Sequence, residues 1–169
     1  MTDTEIEKTR NTHRDLTYLA WIVVGVLALN VAFYVGGEIG EISVSSRDDL
    51  WALNEGLWIG IIKAMPTILI AWAIADFAFL FQRCSEGEVF SEENVKTLDQ
   101  AAYGLIVAGI WAAAISPTLL QWISENFRGI IVDFGDLSIA VTMMGIMLHG
   151  LSLVFKDAVA VKTENDEFV

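Results

Sequence analysis

The chain has 169 residues, 54% of them hydrophobic, a mean hydropathy of +0.53 and a formal net charge of −12. That balance carries no basic patch and so argues against a nucleic-acid partner, while the apolar residues fall in long blocks rather than in the short alternations of a soluble domain. Cys84 is the one cysteine, which excludes an intrachain disulfide.

The opening "MTDTEIEKTRNTHRDL" is too long and too acidic for a secretory leader, so the block behind it reads as a retained first span. That block, 16–35, carries no charge; its strongest polar group is Asn30. About 20 helical residues cross a hydrocarbon layer of about 30 Å, and a backbone in lipid must satisfy its own hydrogen bonds, so the block is expected to be helical. Tyr18 and Trp21 near one end, and Phe33 and Tyr34 near the other, place amphipathic rings at the two interfaces. An acidic, partly structured outer loop is expected over 36–56, where Glu38, Glu41, Asp48, Asp49 and Glu55 outweigh Arg47.

The second block, 57–82, contains two charges, Lys63 and Asp76. The long stem of Lys63 reads as snorkelling to the outer surface. Asp76 lies too deep to do the same and stands as an intramembrane ionisable residue. Pro66 removes a backbone donor and is expected to kink its helix. In the following inner linker, 83–100, Gly87 suits a left-handed exit from the second helix. Ser91 is a good N-cap, and Glu92 and Glu93 suit a helix first turn, so a helix is predicted to begin near Glu92 and run into the third span.

The third block, 101–123, carries Gly104, Ala108, Ala112 and Ser116 at four-residue spacing, with Gly109, Ala113 and Pro117 in a row beside them. Lipid supplies no hydrophobic force between helices, so small residues mark the surfaces where helices approach closely. This ladder predicts the most closely packed helix, within the chain or across a dimer. A second outer loop, 124–136, precedes the fourth block, 137–155, whose one titratable group is His149. On an ideal helix the depths of Asp76 and His149 differ by about 6 Å, so the two are expected to form an intramembrane polar pair, a structural clasp in preference to a proton switch. Met143, Met144 and Met147 precede His149 and offer soft ligands for copper or haem iron. Methionine is an ordinary filler of apolar cores, however, and the second histidine, His13, lies at the membrane edge, so no metal or other cofactor is expected.

Four spans return the chain to its starting side. The flanks of that side, 1–15, 83–100 and 156–169, carry seven lysines and arginines against three, counting Lys63, on the other. The excess of basic residues marks the cytoplasm. The fold class expected is therefore an all-α integral membrane protein, a four-transmembrane-helix bundle with both termini cytoplasmic.

The stretch "GEVFSEENVKTL" ahead of an apolar span resembles the signature of a bacterial membrane family of unknown function, DUF2975. Gly87, Val89, Phe90, Ser91 and Asn94 match its linker motif, and the tail "KTENDEFV" is similar to the family's Glu-Asn-rich ending. Thr97 and Asp99 stand where the family tends to carry basic residues. The resemblance implies a four-span protein of the bacterial inner membrane and supplies no catalytic residues. The chain is read as a non-catalytic interaction or regulatory subunit. Its surroundings are the lipid bilayer, and its partner a second copy of itself or another membrane protein. A small oligomeric transporter using Asp76 and His149 is the alternative.

Overall fold

A computed structural model describes residues 3–45, 50–89, 91–123 and 129–167. All regular structure among them is helical: α1 is Asp3–Ser45, α2 is Leu50–Ser85, α3 is Glu92–Ile110, α4 is Ser116–Ile123 and α5 is Asp136–Glu167. A π-helical turn, Trp111–Ile115, joins α3 to α4, so these three pieces form one rod. Four helical stretches are long and apolar enough to cross a membrane, namely Glu7–Gly40, Asn54–Ser85, Glu92–Ile123 and Asp136–Glu164. The chain is thus an all-helical, multi-pass membrane protein.

The helices run well past the apolar blocks. Residues 36–45, expected in the first outer loop, continue α1, and 50–56 already belong to α2. Packing explains the continuation. Val35 lies against Gly60, where a β-carbon would meet the Val35 Cα at 3.3 Å. One turn further along α2, Lys63 Nζ lies 2.8 Å from Glu38 Oε1. Lys63 therefore ties α1 to α2 instead of reaching out alone to the surface. At the opposite end the fourth helix runs on through the tail to Glu167.

Trp21 meets Phe79 edge-on while Glu38, later in α1, meets Lys63, earlier in α2, so α1 and α2 are antiparallel, and Arg83 near the end of α2 reaches Thr97 near the start of α3. Asp99 of α3 faces His149 and Ser152 of α5. The start of α1, the α2–α3 linker and the end of α5 therefore share one end of the molecule, called here the linker end. Among the described residues the helices pack as a row, α1 on α2, α2 on the third rod, and the rod on α5; the first and last helices do not touch. The rod at the centre buries Ala101, Ala102, Leu105 and Ala108, and Ala73 of α2 completes the core with Phe77, Val141 and Leu148 around it.

Two prolines interrupt the backbone ladder toward the far end. A helical proline removes the donor that would serve the carbonyl four residues earlier. Pro66 thereby frees the carbonyl of Ile62, and the indole Nε1–H of Trp111 donates to it at 3.1 Å. Pro117 frees the carbonyl of Ala113, which accepts the Asp133 amide at 2.7 Å. The π turn lies immediately before Pro117, and the Ser116 amide reaches back five residues to the Trp111 carbonyl. Widening the helix there makes room for the proline ring, a common use of a π turn. Thr118 fixes the same segment, donating to the Ile131 carbonyl and accepting from the Ile131 amide.

Replacing Trp111 by Phe should strand the Ile62 carbonyl and lower stability by about 1–3 kcal/mol. In a Pro66→Ala background a helical amide again reaches Ile62, and the same change should cost less by about 1 kcal/mol. Unfolding of the four variants in detergent micelles checks this; additive losses would contradict the assignment.

Candidate functional site

The linker explains its own motif. α2 ends through a Schellman turn, with the Glu88 amide on the Arg83 carbonyl at 3.1 Å and the Gly87 amide on the Cys84 carbonyl at 3.2 Å. Gly87 sits at φ +99°, the left-handed conformation such a turn requires. Ser91 caps α3 by accepting from the Asn94 amide at 3.2 Å. The buried Asn94 side chain donates to the carbonyls of Glu88 and Val89, closing the loop across itself. Val89 is exposed, and Phe90 lies outside the described residues. Arg83 then joins the two helices, donating to Thr97 Oγ1 at 2.9 Å and pairing with Glu93 at 2.9 Å. Gly87, Ser91 and Asn94 thus shape the turn and send α3 off at a fixed angle.

The small-residue ladder is occupied inside the chain. A side chain at Gly104 would touch Ala73 of α2 at 3.6 Å, Ala108 and Ser116 are buried, and Ala112 lines a cavity of about 210 Å³ with Pro66, Ala108 and Asp133. The closest approach to α5 uses the neighbouring row. At Gly109 a Cβ would collide with Thr142 Oγ1 and come within 2.8 Å of the Ser138 carbonyl. Gly145 does the same from α5, against the Ala102 carbonyl at 2.8 Å.

His149 lies on that packed face of α5, and its partner is Asp99, not Asp76. His149 Nδ1 is 2.7 Å from Asp99 Oδ1, and Ser152 Oγ donates to the same carboxylate oxygen at 3.0 Å. The ring of Tyr103 lies 5.2 Å from the imidazole. The expected Asp76–His149 pair does not form: His149 is held by Asp99, and the backbones of α2 and α5 make no contact among the described residues. Similar depth was not enough without adjacency. Asp99 was legible as a candidate through helical spacing: it precedes Ala102, Ile106 and Gly109 on the face turned to α5.

Although Asp, His and Ser meet here, the one proton of the Ser152 hydroxyl is shared between Asp99 Oδ1 and the His149 carbonyl. A nucleophilic triad needs that hydroxyl on the imidazole instead. Met143, Met144 and Met147 are exposed on α5, a surface suited to acyl chains. Toward the linker end α3 and α5 separate, leaving an open cleft of about 1040 Å³ that has Asp99, His149 and Ser152 at its inner end.

The chain belongs to a family described as protein of unknown function (DUF2975), whose model matches residues 5–169. No curated protein and no solved structure matches the chain.

If Asp99 and His149 are true partners, Asp99→Asn and His149→Gln should be non-additive in unfolding free energy by about 0.5–3 kcal/mol. Asp76→Asn combined with His149→Gln should add within about 0.5 kcal/mol. A coupling in the second cycle and none in the first would reverse the assignment.

Proposed function

We propose that this chain is a non-catalytic, membrane-embedded interaction or regulatory subunit of the bacterial inner membrane. It works as a homo-oligomer or against another membrane protein. The observation that carries the reading is the open row: among the described residues α1 and α5 each pack on one neighbouring span and leave their other faces to the surroundings. Phe33 on α1 and Met147 on α5 are 72% and 76% exposed, and lie on faces where a further helix has room to pack. The central rod, with its small residues already used on both sides, is the rigid part between them.

The distribution of basic residues supports placing the linker end in the cytoplasm, with both termini there. That leaves the linker turn and the end of α5 available to soluble regulators. In this reading the Asp99–His149–Ser152 group is a clasp between α3 and α5. Its hydroxyl geometry supports a role in packing over one in catalysis. The transporter alternative relied on Asp76 and His149 acting together, and it loses that basis with the pair.

A photocrosslinking residue placed at Phe33 or Met147 in native membranes should give a discrete, stoichiometric adduct with a second membrane-spanning chain. The reading fails if the protein, extracted in native lipid discs, is monomeric and neither position crosslinks to any polypeptide.

A further inference from the structure

The geometry points to the linker-end cleft as a binding site for one phospholipid with a zwitterionic, primary-amine headgroup, that is, a phosphoethanolamine. The cleft is bounded by the first half of α3 and the last half of α5. Val95 and Leu153 give it apolar wall, while Lys96, Lys156, Glu92 and Glu164 line the same space. Its inner end lies within two membrane-spanning helices, so acyl chains are the medium that enters from the side.

The charges left over decide the headgroup. Glu93 is engaged by Arg83, and Asp99 by His149 and Ser152. Lys96, Lys156, Glu92 and Glu164 have no ion-pair partner among the described residues. Two ammonium groups and two carboxylates therefore face one cleft, complementary to a ligand that carries both signs.

Their depth order matches the ligand. Because Asp99 lies opposite Ser152 and Ala102 opposite Gly145, the antiparallel register brings Lys96 level with Lys156. Glu92 is one turn further out, about 6 Å, and Glu164 about 12 Å further out than Lys156. A phospholipid places its phosphate next to the glycerol and its amine beyond it. The lysines thus meet the phosphate and Glu92, one turn further out, the ammonium, through charge-assisted hydrogen bonds, while Glu164 adds a second carboxylate at the mouth of the cleft. A choline headgroup has no N–H to donate and is usually held by an aromatic cage; among the described residues no Phe, Tyr or Trp lines this cleft. A glycerol headgroup leaves both glutamates facing a net anion.

Native mass spectrometry of the full chain, reconstituted with phosphatidylethanolamine, phosphatidylcholine and phosphatidylglycerol of identical acyl chains, tests this. One phosphatidylethanolamine per chain should be retained over the other two. The double substitution Lys96→Gln/Lys156→Gln should lower its occupancy about tenfold or more. Lys8→Gln, on α1 and away from the cleft, should leave it unchanged. Glu92→Gln/Glu164→Gln should abolish the preference for the amine over choline. Soluble glycerophosphoethanolamine should not displace the lipid, since it lacks the chains that the apolar wall holds. Equal retention of the three lipids, a preference for phosphatidylglycerol, or occupancy indifferent to the lysine pair would each overturn the proposal. It stands or falls independently of whether the chain has a protein partner.

Discussion

A helix in hydrocarbon has no water to repair a missing hydrogen bond, and the far half of this protein is organised around two places where the helix cannot repair itself. Pro66 and Pro117 each leave a carbonyl without its usual donor. Both carbonyls are served by groups distant in sequence, the Trp111 indole for Ile62 and the Asp133 amide for Ala113. The consequence is topological. The first bond fastens α2 to the third rod, and the second fastens the segment before α5 to the same rod. With Thr118 holding Ile131, three helices become one assembly at the end opposite the linker. Apolar contact has no preferred partner in lipid, whereas an unsatisfied carbonyl has one, so these two bonds specify neighbours as well as stabilise them.

The contact between α3 and α5 is specified by close approach. Gly109 and Gly145 let α3 and α5 bring their backbones together, at distances a β-carbon would forbid. Polar side chains then become useful, because they are near enough to bond across the interface. On α5 the inward residues are Ser138, Thr142, Gly145, His149 and Ser152, alternating three and four apart, the period of a packed helical seam. Ser138 and Ser152 are buried, and the lipid side of the same helix carries the methionines. This helix is amphipathic in the sense that a membrane demands, with its polar stripe inside.

That stripe shows what could and could not be read from the residues. Length and composition identify the four spans, since charge-free blocks of that extent have few alternatives. Gly87, Ser91 and Glu92 announce the linker turn because each residue type answers a local backbone requirement, and local requirements need no knowledge of the fold. The ends of the helices were less legible. Gly36, Gly37 and Glu38 read as a loop, yet they are helical because α2 lies alongside and Lys63 meets Glu38 there. The polar pair was the hardest feature. Depth along a helix follows from counting residues, but the order of helices in the row does not. Asp76 and His149 match in depth but sit on helices whose backbones do not meet among the described residues; Asp99, assigned to the water-exposed linker, is the residue in register.

Asp99 also explains why the charged linker and the apolar span merge without a break. α3 begins outside the apolar block, at Glu92, and its first two turns carry Arg83's contacts to Thr97 and Glu93 on one side and the carboxylate toward His149 on the other. A carboxylate is expensive in hydrocarbon unless it has partners, and Asp99 has two. The side chains of Asp99 and His149 are 37% and 35% exposed, so the pair is open on the cleft side and packed on the other. Further in, the seam closes on Gly145 and the small residues take over; further out, the two helices part into the cleft. The position of this one carboxylate thus separates a close-packed interface from an open, charged one, and the transition between them falls at a single turn of α3.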